Sequence, residues 1–417
     1  MNLSNAGDPG SLKESRLPRR DWILLPFLCL LTISLIVGST ALIAWWMFNK
    51  SKAQDLDCLV LNDLSTGVRG IPGCVLWEKV GENQPVRYGF NRGGYRADRE
   101  FVPKSDGTYL IVVIGSSVAM GGRVRLEDTF VTLLPAELSR KVGHKVDVYN
   151  EAIDAGGGLP KAVALRFNKV LVAKPDLVLW VLDPWDIQHA SMLVPEAPGP
   201  QVPVLHGKTI GTVKEAFSWN SIRETLQDLG GAGSFAIDFL HEAQRIRERT
   251  KLALQHFLYQ SQSLYVASYL RGGDNAEYLR SGVTATWNGY LEQTEASVTE
   301  IAGQAQKAGV PFAVVFVPER AQAAMISMGE WPAGFDPYRL DEELRAIITR
   351  HGGTYIDILP DYRNIPNPEK GYLPVDGHPN ANGHATISKL LARELTGGAV
   401  PALKDLSQQR TALEQGR

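Results

Sequence analysis

Two serines and a distant aspartate–histidine pair are the residues of this chain whose types and spacing can do chemistry together. Ser116 and Ser117 follow Gly115 at the end of the apolar run 109–114, Tyr-Leu-Ile-Val-Val-Ile. Asp376 and His378 lie near the other end, in Val375-Asp376-Gly377-His378-Pro379-Asn380. A serine hydroxyl is a weak nucleophile until a neighbouring base takes its proton. Histidine is the usual base, and a carboxylate beside it fixes which ring nitrogen carries hydrogen. With only Gly377 between them, acid and base are preset locally. A strand ending in Gly-Ser-Ser is by itself an ordinary tight turn. The distant Asp-x-His is what makes it a candidate site.

Such groups need a rigid frame, and the chain offers one. The run 109–114 is short, rich in β-branched residues and bounded by turn formers, which reads as a buried strand of a parallel sheet. Further short apolar runs at 146–149, 177–182, 311–317 and 354–358 alternate with segments of helical periodicity at 126–142, 161–173, 289–308 and 340–351. A last helix begins near residue 382 and ends at Gly397-Gly398. Five strands alternating with helices predict an α/β three-layer α/β/α sandwich around a five-stranded parallel sheet. In such a sheet ligands bind beyond the carboxyl ends of the strands, where the two serines fall. Residues 190–295 interrupt the alternation and read as a helical insertion, with long helical stretches at 214–229 and 236–270. The glycine-rich loop after Asn150, through Gly156, Gly157 and Gly158, lets backbone N–H groups approach a ligand closely.

The ends of the chain differ from this middle. Residues 1–21 are polar and carry Lys13, Arg16, Arg19 and Arg20, whereas residues 22–49 contain no charged side chain. That stretch exceeds the roughly 20 apolar residues that span a bilayer, with Trp22 and Trp45-Trp46 at its two ends. The excess of basic residues before it predicts a cytoplasmic tail, one transmembrane helix at 22–49, and everything after it outside the cytoplasm. Residues 51–108 read as an irregular lead-in, 109–397 as the main domain and 398–417 as a polar tail. A net charge of -2 gives no electrostatic case for nucleic acid. The three cysteines are too few for a disulfide scaffold and form no metal-binding pattern. Cys58 and Cys74 can pair on an oxidising side or remain two free thiols. Nothing in the sequence calls for a cofactor or a metal.

The order of these blocks resembles the SGNH (GDSL-type) hydrolase superfamily, over roughly residues 109–397 apart from the insertion. The preceding Asn91-x-x-Gly94-x-Arg96 is similar to the lead-in of its membrane-anchored members. The resemblance implies Ser117 as nucleophile, His378 as base and Asp376 as the acid that orients it. His378-Pro379-Asn380 followed by Gly383-His384 continues that block, with His384 read as structural. For the oxyanion it implies the N–H of Ser117 and one from the loop after Asn150, assigned to Gly156 with Ala155 or Gly157 as one-residue alternatives. The chain departs from the pattern twice. Ser116 stands where the family has its aspartate, and Trp185-Asp186 stands where an Asn-Asp pair supplies a further oxyanion donor.

Two functions follow as expectations. The first is a membrane-anchored extracytoplasmic serine esterase or O-acyltransferase acting on an acylated glycan or other small ester, with Trp185, Asn150 and Arg320 as pocket candidates. The second is a catalytically silent module of the same fold that binds a glycan or partner proteins in an envelope assembly.

Overall fold

Residues 109–115 are apolar throughout, and they have to be, because both faces of the strand they form are covered. In the computed structural model of the chain, Tyr109–Gly115 is buried along its length except at Tyr109. The structure describes residues 27, 28, 30–35, 58–63, 67–78, 84–190, 246, 261–374 and 376–415. The chain divides into two compact units, Met1–Ala53 and Gln54–Arg417. In the first, the described residues between 27 and 35 are helical and largely exposed. The span expected at 22–49 lies mostly outside the described residues, among which no helix is long and apolar enough to cross a membrane.

The second unit opens with two antiparallel hairpins. β1 (Leu59–Asp63) pairs with β2 (Gly67–Gly70), and β3 (Val75–Glu78) pairs with β4 (Val86–Gly89). Cys58 and Cys74 form a disulfide that ties the first hairpin to the second. The described residues of the lead-in thus include short strands, with glycines in β2 and β4.

The main sheet has five parallel strands in the order β6-β5-β7-β8-β9. They are β5 (Tyr109–Gly115), β6 (Val146–Asn150), β7 (Leu177–Leu182), β8 (Phe312–Phe316) and β9 (Thr354–Ile356). From β5 the chain steps outward to β6, then crosses back past β5 to β7 and continues away. The reversal leaves a crevice at the carboxyl ends of the central strands, the usual place for a ligand in such sheets. Helix Phe130–Val142 packs with Ala381–Glu394 as one outer layer, and Ala285–Ala308 packs with Pro160–Val170 and Arg339–Arg350 as the other. The helix Ala285–Ala308 is continuous through residue 295, so it belongs to the sandwich. Of the helices expected between 214 and 270, residue 246 and Gln262–Leu270 are described as helical. The tail expected after residue 398 contains helix Pro401–Gln415, which packs on Phe130–Val142 and fully buries Leu403.

Two glycines make the turn after β5 feasible. A Cβ on Gly115 would lie 2.6 Å from the Ala119 Cβ and 2.9 Å from the Val181 carbonyl oxygen. One on Gly158 would lie 2.3 Å from the backbone nitrogen of Ser116. The segment behind the turn is held by Arg96, whose buried guanidinium donates to the carbonyls of Met120, Gly121 and Val124. It also stacks 4.0 Å above the Tyr88 ring. This side chain replaces solvent for three carbonyls at the foot of the crevice. Arg96→Met should therefore cost about 3 kcal/mol, the scale of lost charged hydrogen bonds to buried acceptors, read as a lower urea midpoint at unchanged slope.

Candidate active site

Ser117 opens a short helix, Ser117–Met120, directly after β5. Its hydroxyl lies 2.8 Å from Nε2 of His378, and Nδ1 of that ring lies 2.5 Å from Oδ1 of Asp376. The structure thus brings together three residues from opposite ends of the domain. An ionised Asp376 can only accept, so Nδ1 of His378 carries the proton and Nε2 is free to accept from the serine.

The histidine is placed by a tight loop. Leu373 N–H donates to the His378 carbonyl at 2.7 Å, and Gly377 N–H donates back to the Leu373 carbonyl at 3.0 Å. Gly377 has φ +89°, a conformation that costs glycine nothing. Beyond it, Asn380 Oδ1 accepts from the N–H groups of Asn382 and Gly383 and caps helix Ala381–Glu394. His384, on that helix, is fully buried, accepts from Phe130 N–H at 3.3 Å and stacks on the Phe130 ring. Burial pushes its pKa down to about 3, so it stays neutral and structural.

Burial alone would raise the Asp376 carboxyl, but the hydrogen bond and charge of His378, with Arg123, hold it well below the usual carboxylate range. Burial alone would lower His378, but its hydrogen bond to Asp376 and that carboxylate's charge prevail and raise it above its ordinary value. Arg123 opposes that rise. Its Nε lies 3.2 Å from Asp376 Oδ2, and its Nη1 pairs with the buried carboxylate of Glu78 on β3. Arg123 adopts φ +69°, and its N–H donates to Tyr88 Oη at 2.7 Å. Nothing in the spacing of the sequence pointed to Arg123 as a neighbour of the acid.

Ser116 and Ser117 diverge completely. Ser116 is buried, donates to Asp186 Oδ1 and accepts from Gly158 N–H at 2.9 Å. Asp186 and Asp183 form a reciprocal cap at helix Pro184–Gln188. Asp186 is buried beside Asp183, and both causes push its carboxyl well above the usual range. Between them Trp185 points outward, half-exposed, with its ring centre 4.3 Å from that of His189. The Trp-Asp pair is therefore split, one side chain inward to Ser116 and the other toward the crevice.

A cavity of about 440 Å³ opens at Ser117 and His378. Trp185 and Arg320 line it as expected pocket candidates. Asn150 does not: it is buried, donates to the Ala119 carbonyl at 3.0 Å and accepts from Ala152 N–H. Its amide is consumed in fixing the loop to the helix that carries Ser117. In that loop Ala155, at φ +56°, lines the cavity, whereas Gly156 is buried and Gly157 N–H donates to the Ile153 carbonyl. Ala155 N–H itself donates to Asp154 Oδ1 at 2.6 Å. The sequence reading missed three carboxylates on the wall, Asp154, Asp183 and Glu319, and two tyrosines, Tyr265 and Tyr269. Asp183 directly follows β7 and Glu319 lies three residues beyond Phe316, the last residue of β8, and those positions were the available signal.

No family model matches the sequence, and no curated protein matches it. Solved structures with a similar chain course include LAE5, an alpha/beta hydrolase enzyme from the metagenome of Lake Arreo, at 14% identity and TM-score 0.35, covering 68% of this chain and 94% of that one. A variant of Axe2, an acetyl-xylooligosaccharide esterase from Geobacillus stearmophilus, aligns at 11% identity and TM-score 0.36, covering 71% and 96%. A GDSL-like lipase from Parabacteroides merdae aligns at 12% and 0.34, covering 72% and 99%.

The electrostatics make a direct prediction. In ring-nitrogen NMR, His378 should titrate above the ordinary value of about 6.5. Arg123→Gln removes a cation that disfavours the protonated ring, so the midpoint should move further up. A downward move would contradict this arrangement.

Proposed function

We propose that this chain is a serine ester hydrolase or O-acyltransferase of the SGNH type, tethered to a membrane by residues 22–49 and acting outside the cytoplasm on an acylated glycan or other small ester. The observation that carries the reading is the Ser117–His378–Asp376 relay at the mouth of a cavity of about 440 Å³. In the proposed reaction Ser117 Oγ bonds to the acyl carbon as its proton passes to His378 Nε2. The ester C–O bond then breaks, and His378 returns the proton to the departing alcohol oxygen. Water or an acceptor hydroxyl attacks the acyl-serine by the same steps in reverse. Asp376 holds the ring in the needed tautomer throughout.

Ser117 N–H, at a helix start, is one candidate oxyanion donor. Ala155 N–H is a second once the Asp154 carboxylate gives way to the substrate oxygen. The Cys58–Cys74 disulfide supports an oxidising compartment. The charge-free stretch 22–49 behind a basic tail supports the tether. If the tether is real, the full chain should stay with the membrane pellet through a carbonate wash, and release into the wash would refute it.

One observation favours the second reading, a silent binding module: Trp185 stands at the place of a third oxyanion donor. Loss of one such donor typically costs about a hundredfold to a thousandfold in rate. A fluorophosphonate probe separates the two. It should label Ser117 and not the buried Ser116, and Ser117→Ala or His378→Ala should abolish labelling with little change in melting temperature. Trp185→Asn should raise ester turnover if the indole is a poor donor and lower it if the ring forms the acyl pocket. A folded wild-type protein that takes no label would decide for the binding module.

A further inference from the structure

The cavity at Ser117 has an uneven wall. Trp185, Tyr265 and Tyr269 give it aromatic faces, and Asp154, Asp183 and Glu319 give it three carboxylates besides Asp376. Asp376 is paired with Arg123 and hydrogen-bonded to His378; among the described residues the other three form no ion pair. Glu319 accepts from the hydroxyls of Tyr269 and Tyr278, both through Oε2. Its Oε1 accepts from no donor among the described residues. Asp154 likewise uses Oδ1 for Ala155 N–H and leaves Oδ2 without a donor there.

One arginine, Arg320, stands on the wall against these three carboxylates. Arg320 donates to the Pro374 carbonyl at 2.6 Å, and its Cζ lies 4.3 Å from the centre of the Tyr265 ring. Its guanidinium is thus engaged with the protein's own carbonyl and ring.

Carboxylate oxygens without donors call for hydrogen-bond donors on the ligand, hydroxyl or ammonium. Aromatic faces suit the C–H face of a sugar ring or a cation. An anionic ligand would meet like charge in a confined space, which is costly. Resting on the ester-hydrolase reading above, we propose that the cavity selects esters whose alcohol part is a hydroxyl-rich or aminated sugar without negative charge, and rejects uronic-acid esters, with Glu319 as a residue that sets this choice.

Two glycosides that differ at one carbon test it: monoacetylated methyl glucoside and monoacetylated methyl glucuronide. At about pH 8, above the value of about 7 to which burial pushes Glu319, kcat/KM for the glucoside should exceed that for the glucuronide by about tenfold or more. Glu319→Gln should narrow the ratio, and because both esters are measured on the same variant, general damage cancels. Saturation-transfer NMR with the two unacylated methyl glycosides should show the same preference without turnover. Equal binding, or better binding of the glucuronide, would overturn the charge selection. Turnover of p-nitrophenyl acetate by the same preparation would meanwhile leave the ester-hydrolase reading standing. Glucoside-selective binding with no turnover of any ester would sink that reading and keep the selection.

Discussion

In a parallel sheet every strand ends on the same edge, and the site depends on that constraint. β5, β7 and β8 lie side by side with apolar bodies, so the residues just past their ends converge: Ser116-Ser117, Asp183 and Glu319. The reversal of chain direction after β6 opens space above β5, and the loop carrying His378 closes one side of it. Gly115 and Gly158 let the backbone turn and the neighbouring loop pass at distances no side chain would permit.

The two adjacent serines show how finely that edge sorts identical residues. Ser116 turns inward and bonds Asp186 and Gly158, binding three loops into one floor. Ser117 turns outward to His378. Asp186, pushed toward its protonated form by burial and by Asp183, holds Ser116 from the helix that follows β7. Trp185 is then left to face the crevice.

The strands and the pairing of Ser117 with Asp376 and His378 were legible because each leaves a local mark. A strand covered on both faces is an unbroken apolar run, and an acid two residues from a base is a visible spacing. Other features leave no such mark. Arg123 reaches Asp376 because the backbone after the short helix turns through a positive φ, which no residue type announces. Whether residue 155, 156 or 157 lines the cavity depends on a one-residue difference in a glycine-rich loop, and sequence cannot fix that register. The hairpins at 59–89 are four or five residues per strand, shorter than any period can establish. Asn150 looked like a ligand contact because polar residues at strand ends often are; its amide proved to be a backbone brace.

The separation between Ser117 and His378, 261 residues along the chain, has a consequence in time. During synthesis the strand and turn that present the serine emerge early, and the imidazole follows only after β9. A chain interrupted anywhere in between holds a serine hydroxyl without a base. Truncated products of that kind lack the paired imidazole by construction, and the contact between Ser117 and His378 first exists once all five strands of the sheet have been made.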